Sequence, residues 1–409
     1  MKPEALTEDL LSALAREHGT PLYVYDAATI VRRIRDLDGF DRVRFAQKAN
    51  SNLGLLDVVR RAGAFVDAVS AGEVERALRV GFEARSIAYT ADVFDRAARK
   101  SLIQHRCPVN LGSPFQIEQY AALQAGRDIA LRVNPGFGHG HGRKVNTGGE
   151  SSKHGIWHAD LASVVARAHV AGLRVTGMHV HIGSGSDFEN LARVREAVRR
   201  MAPIAGADLR TISAGGGLPT PYRDGEPAFD VQRFVRDWLE TKRDIERDLG
   251  RSIEIEVEPG RYLVAECGVL VTEVLGAKKS GSVDYVFVDA GFHTLVRPAM
   301  YGAFHRITAI GKAGASSSPR VVAGPLCESG DVFTQGDGGV LEPQMLPDMA
   351  IGDLVCVHDA GAYGMSMASN YNSQPFPAEM LVEDGRARCV RRRQSLDALL
   401  ADEIDPGER

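Results

Sequence analysis

The sequence predicts an α/β barrel of the (β/α)8 type over residues 30–268. An all-β C-terminal domain, sandwich- or barrel-like, follows over residues 269–409, and it also takes in a strand from the N-terminal segment 1–29. Three observations carry this reading. Between about residues 40 and 265, eight apolar strand-like runs recur, the first seven each followed by an amphipathic stretch or a loop leading to one, which is the alternation of a parallel sheet closing on itself. From about residue 270 the helical pattern gives way to short strands separated by turns. The early run "TPLYVYD", residues 20–26, is strand-like but precedes the barrel pattern.

Taken in order, "RVRFAQKA" leads into "LGLLDVVRRAG", "AFVDAVS" into "AGEVERALRVG", and "SIAYT" into "VFDRAARKSLIQH". "PVNLGS" leads into "FQIEQYAALQAG"; "DIALRVNP" is followed by a glycine-rich loop and then "DLASVVARAHVAG". "RVTGMHVHIGS" leads into "FENLARVREAVRRM", "LRTISAGGG" reaches "FVRDWLETKRDIERDLG" after a loop, and "SIEIEVEPG" is the eighth strand. The β domain then runs through "GVLVTEVLGAKK", "YVFVDAG", "RVVAGPL", "DLVCVHDAG" and "AEMLVEDGRARCVRR".

Composition narrows the class. The chain has 409 residues, 44% hydrophobic and 25% charged, as in ordinary globular proteins. A net charge of −4 gives no electrostatic reason for a nucleic-acid or membrane partner. No run reaches the roughly 20 apolar residues that span a bilayer, and the first twenty residues lack a signal-peptide core. The five cysteines, Cys107, Cys267, Cys327, Cys356 and Cys389, are scattered without CxxC spacing, against a disulfide framework or zinc site. A cytoplasmic protein without bound metal is expected.

Barrels of this type place chemistry at the C-terminal ends of their strands. Those ends carry Lys48, Asp67 and Ser70, Arg132 and Asn134, His179 and His181, Gly215-Gly216-Gly217, then Glu258 and Arg261. Lys48 lies in "RFAQKANSN" among apolar and small neighbours. It is either a snorkelling surface residue or a Schiff-base lysine, whose amine must be neutral to attack a carbonyl and is helped by burial. "AGGG" offers closely spaced backbone N–H groups with no side chain to block an anion, though a bare triple glycine is also just a tight turn. Together they point to pyridoxal 5′-phosphate (PLP), which needs a lysine and a phosphate cradle. In "HVHIGSGSD", His179 and His181 share one strand face. Without a carboxylate to complete a metal set, an imidazole there suits stacking on the pyridine ring, with Ser184 within reach of the phosphate. Glu258 in "EVEPGR" suits the pyridine nitrogen. "GHGHGR", with His139 and His141, is read as a glycine loop rather than a metal motif. In the β domain, "RPAMYG" carries Arg297 and Tyr301, "GPLCESGD" carries Cys327, Glu328 and Asp331, and "DAGAYGMSMASNYN" carries Tyr363 and Tyr371. Cys327 is set in a polar loop, where function concentrates.

These motifs, with "FAQKANSN", "VSAGEVERAL", "SAGGGLPTPY" and "EPGRYLVAECG", resemble the diaminopimelate decarboxylases, within the alanine-racemase-like, fold-type III group of PLP enzymes. The likeness runs in order over about residues 20–395. One departure is "NYNSQP", where Gln374 stands in place of the family's usual arginine. The resemblance implies PLP as cofactor and decarboxylation of meso-2,6-diaminopimelate to L-lysine and CO2, the last step of bacterial lysine synthesis. It implies a head-to-tail homodimer whose active sites combine one subunit's barrel with the other's "CESGD" loop. It makes Lys48 the cofactor lysine and Cys327 the proton donor, with Lys48 the competing donor. Asp67, His181, Ser184, Gly215, Gly216, Gly217, Glu258, Arg261 and Tyr363 become the cofactor set. Arg261, Arg297, Tyr301 and Tyr363 fall to the substrate, with Glu328 for its distal ammonium. The alternatives are a related ornithine, lysine or arginine decarboxylase, an alanine-racemase-like isomerase, and a non-catalytic PLP-binding protein. The first two lack use for a distal amino-acid acceptor, and the third is typically a single barrel.

Overall fold

A computed structural model describes residues 3–139, 147–185 and 187–404. His141 lies outside the described residues. The chain forms two units: Ile30–Thr220 with Pro227–Leu263, and Met1–Thr29 with Pro221–Glu226 and Val264–Arg409.

The first unit is the barrel. Its strands are Arg42–Ala46, Phe65–Ala68, Ile87–Ala91, Val109–Leu111, Asp128–Asn134, Arg174–Val180, Thr211–Ser213 and Glu254–Val257. Consecutive strands pair in parallel, and the ring closes where Glu256 lies opposite Arg42 and Val257 opposite Val43. A two-residue strand, Ile156–Trp157, adds to Asp128–Asn134 beyond the eight that the pattern predicts.

Local chemistry sets the helices between these strands. Asn52 caps Leu53–Arg61 by accepting from Gly54 N–H (2.8 Å). Ser70, read from sequence as a strand-end polar group, is the cap of Ala71–Arg79: its Oγ accepts from Glu73 N–H (3.2 Å), while Glu73 reaches back to Val69 N–H (2.7 Å). Val231–Leu249 buries Phe234, Trp238, Thr241 and Ile245, spaced to make one helix face, and stops at left-handed Gly250. Among the described residues no helix is long and apolar enough to cross a membrane.

The second unit is built on a nine-stranded mixed sheet. Leu22–Asp26 lies inside it, antiparallel to Gly268–Ser280 (Leu22 opposite Val271) and parallel to Ala378–Glu383 (Leu22 opposite Ala378). All five residues of that strand are buried, as its apolar run on both faces requires. Pro221–Glu226, within the stretch read as barrel, groups with this unit instead. The Tyr222 ring packs 4.7 Å from the Arg297 guanidinium and edge-on to His305, and Arg223 pairs with Glu342 at 2.7 Å. These are contacts far apart in sequence, which local patterning does not encode.

Candidate active site

In the barrel unit the C-terminal strand ends gather the polar residues expected there. Lys48 is exposed, so the burial that would help its amine lose its proton is not supplied by its own turn. The chain leaves its strand at Ala46, and Lys48 sits in a single 3-10 turn, Gln47–Ala49, whose other residues are buried. The lysine is thus held at its base and open at its tip.

Glu258 follows the last barrel strand and is buried. Its Oε2 is 2.7 Å from His179 Nε2, and its Oε1 accepts from Ser213 Oγ at 2.8 Å. Burial alone would raise its carboxyl, but the charge and hydrogen bond of His179, the Ser213 hydroxyl and the Arg44 guanidinium outweigh it and hold the group low. Asp67, on the second strand, goes the other way. Burial, then the negative charge of Glu258, raises it far above the carboxylate range, although the Thr90 hydroxyl donates to it. Burial and the charge of Glu258 thus favour the neutral form of Asp67, while the partners of Glu258 favour its ionised form. Beneath them Arg44 is closed by a two-point pair with Glu256, at 2.7 and 3.0 Å.

His181 follows the sixth strand. Gly216 N–H donates to its Nδ1 at 3.3 Å. Burial and the nearby cations Lys48 and Arg132 push its pKa well below the usual histidine value, so the ring is neutral. Gly215 N–H donates to Ser213 Oγ at 3.1 Å. Two of the three amides read as an anion cradle are thus engaged inside the protein, and they fix the loop. The glycines are required by space: a Cβ on Gly216 would fall 2.3 Å from the Glu258 carbonyl oxygen, and one on Gly217 2.1 Å from that of Gly183. Ser184 and Arg261 are half-buried, Arg261 opening the short helix Arg261–Val264. Asn134 ties down the loop after the fifth strand, donating to the Gly149 carbonyl (3.0 Å) and accepting from Gly149 N–H (2.9 Å). His139 Nδ1 lies 3.1 Å from the Asn190 side-chain amide.

The remaining candidates belong to the second unit. Arg297 and Tyr301 begin and end one short helix; Arg297 is buried and Tyr301 half-buried. Cys327 and Glu328 are exposed on the loop after Ser317–Ala323. That loop is anchored by Asp331, which accepts from Phe292 N–H (2.7 Å) and Leu326 N–H (2.8 Å). Cys327 N–H donates to Asn372 Oδ1 at 2.9 Å. Tyr363 is half-buried with φ 58°. Gln374 follows the turn Tyr371–Ser373, and its carbonyl accepts from Asn370.

Sequence reasoning missed Ser213, Asn372 and the anchoring part of Asp331, and left His179 without a role. The period-two spacing of His179 and His181 was the available signal for His179. The others act through contacts made only by folding.

The barrel residues fit PLP. A buried carboxylate held ionised can keep a proton on a pyridine nitrogen, a neutral imidazole can lie against a ring, and a lysine stands at the same mouth. The buried His179 Nδ1, without a hydrogen-bond partner among the described residues, marks the same cluster as built for more than packing.

Residues 28–265 match the family described as "Pyridoxal-dependent decarboxylase, pyridoxal binding domain". With the barrel and its charged strand ends, this defines the class: a pyridoxal-dependent decarboxylase. The chain is 49% identical to a diaminopimelate decarboxylase of Streptomyces coelicolor, over 99% of this chain and 94% of that one. It is 48% identical to the Escherichia coli K12 enzyme of the same name, over 98% and 97%. A solved diaminopimelate decarboxylase structure superposes with a TM-score of 0.94 at 48% identity, covering 97% of this chain and 96% of that one. The Helicobacter pylori enzyme, complexed with L-lysine, gives 0.84 at 31% identity, covering 95% and 98%. The chain belongs to the diaminopimelate decarboxylase family.

Proposed function

We propose that the chain decarboxylates meso-2,6-diaminopimelate to L-lysine and CO2, using PLP, and that the residues above divide the work as follows. The observation that carries the chemistry is the buried, ionised Glu258 held by His179 and Ser213 at the mouth that also bears Lys48. Bound PLP supplies an aldehyde for amine capture and a protonated ring that takes up the electron pair left when CO2 departs. Lys48 would hold the cofactor through its amine. Glu258 keeps the proton on the pyridine nitrogen. His181, neutral, would lie against the ring, and Asp67, favoured in its neutral form, would not compete with the charge of Glu258. Ser184, the Gly215–Gly217 turn and Arg261 would hold the phosphate, a role that the reading also gives to Tyr363.

At the far end of the substrate, Arg297, Tyr301 and Arg261 suit its carboxylate and Glu328 its ammonium. Cys327 would be the proton donor to the carbon that loses CO2, with Lys48 the competing donor. The exposure of Cys327 and Glu328 supports a homodimer in which this loop serves a partner's barrel. The absence of a membrane-crossing helix among the described residues and the biosynthetic reaction support a cytoplasmic enzyme.

The test is product analysis. With PLP, meso-diaminopimelate should give L-lysine and CO2 in equal amounts. L-ornithine and L-lysine lack the distal carboxylate and so forgo its charge-assisted, two-pronged pairing with Arg297. On that difference kcat/KM should favour meso-diaminopimelate by at least roughly a thousandfold. Comparable kcat/KM for ornithine would sink the substrate assignment.

A further inference from the structure

Arg297 is only 5% exposed, so its guanidinium plane is set by the protein around it. Its Nη1 donates to His305 Nε2 at 2.7 Å. His305 is wholly buried, and its Nδ1 is 2.8 Å from the main-chain carbonyl of His358. A carbonyl only accepts, so Nδ1 carries the hydrogen; a guanidinium only donates, so Nε2 carries the lone pair. The two contacts together allow one state of the ring, the neutral Nδ1–H form. The ring is itself locked. Gln344 Nε2 donates to the His305 carbonyl (2.8 Å), and the His358 ring meets Thr308 Oγ1 (2.8 Å) where Ile307–Ala309 pairs with Leu354–Val357. Tyr222 closes the third side, its ring 4.7 Å under the guanidinium and near-perpendicular to His305.

We infer that His305 is a positioning residue for substrate selection: its Nε2 lone pair, with the Tyr222 face, sets the plane in which Arg297 presents its donors to the distal carboxylate. This rests on the reading of Arg297 given above. Carboxylate recognition by a guanidinium is planar and two-pronged, so a rotated fork loses part of the contact while remaining charged. His305 touches neither substrate nor cofactor in this scheme.

The test uses two substitutions that split the ring's two contacts. His305→Asn places an amide near Nδ1, so it keeps the link to the His358 carbonyl and loses the acceptor for Arg297. His305→Gln places its oxygen near Nε2, so it keeps Arg297 and loses the strand link. In the holoenzyme, His305→Asn should raise KM for meso-diaminopimelate about tenfold, the loss of one hydrogen bond at a charged group, with kcat within about threefold. His305→Gln should keep KM within about threefold of wild type. A merely structural histidine would not give that ranking. An unchanged KM in His305→Asn, or equal losses in both variants, overturns the inference. If His305→Asn does not accumulate as folded protein, Tyr222→Leu against Tyr222→Phe decides: a raised KM in the first alone supports the inference, and equal values overturn it. Arg297→Met is the control. An unchanged KM there overturns the reading of Arg297 and this inference with it, whereas a raised KM there beside an unchanged His305→Asn overturns the inference alone.

Discussion

Glu258→Gln isolates the charge of the site from its shape. The side chain keeps its length, and both neighbours remain in reach, His179 at 2.7 Å and Ser213 at 2.8 Å. An amide can accept from His179 and donate to Ser213, whose hydroxyl rotates to accept. The fold should therefore lose no more than about 2 kcal/mol, the scale of one weakened hydrogen bond to a charged group. What disappears is the negative charge that His179, Ser213 and Arg44 hold in place against burial. Removing one preorganised electrostatic partner from a water-poor site costs about 3–4 kcal/mol at the transition state, which is about two to three orders of magnitude in kcat. Glu258→Asp keeps the charge but cannot hold both partners, and should fall between, near tenfold. The assay is steady-state kcat at saturating substrate, with cofactor absorbance and a melting curve establishing that each variant is folded and loaded. A Glu258→Gln enzyme within about fivefold of wild-type kcat would refute the reasoning, because the charge would then be dispensable.

Lys48→Ala should abolish the visible absorbance of lysine-linked cofactor and nearly all turnover; unchanged absorbance would remove that lysine from the scheme. Mixing Lys48→Ala with Cys327→Ala subunits should restore activity at roughly a quarter of all sites if the cysteine acts across an isologous dimer. No recovery after verified exchange would mean it serves its own chain's lysine or none. Asp359 tests linkage: burial, and then the charge of Glu266, push its carboxyl up to about 6 from 3.8. Its stability contribution is therefore complete below the unfolded value and lost as pH rises through about 6. Asp359→Asn, tolerated at φ 54°, should stabilise the protein by about 1 kcal/mol more at pH 8 than at pH 5, read from melts at both. An advantage that does not grow with pH would contradict the assignment.

The parts of the fold legible in the sequence are those that repeat. Each barrel strand is an apolar run followed by a helical period, and Leu22–Asp26 reads as a strand because it is apolar on both faces. The same logic put Lys48, Asp67, His181, Glu258 and the glycine turn at one end of the barrel, since strand ends can be counted. What sequence did not reveal depends on partners brought in by folding. Ser70 reads as a strand-end hydroxyl until its helix is seen to begin there. The triple glycine reads as free donors until Ser213 and His181 are found accepting from two of them. Lys48 reads as either a snorkelling or a Schiff-base lysine until a single tight turn is seen to hold it between buried neighbours with its own side chain exposed.

The place of Leu22–Asp26 inside the second unit's sheet bears on how the chain is made. Its partners, Gly268–Ser280 and Ala378–Glu383, leave the ribosome some 240 to 350 residues later, roughly ten seconds to a minute at ordinary synthesis rates. In that interval the barrel strands can pair with their sequence neighbours, and the ring can close once Glu254–Val257 has emerged, while "LYVYD" waits with apolar faces and unsatisfied main-chain groups. A nascent chain of this kind depends on its tail to shelter its head. Shortening it within Ala378–Glu383 should send it toward aggregation even with the barrel sequence whole, and appending that strand's mate from the N-terminus is what an isolated second unit would need to fold.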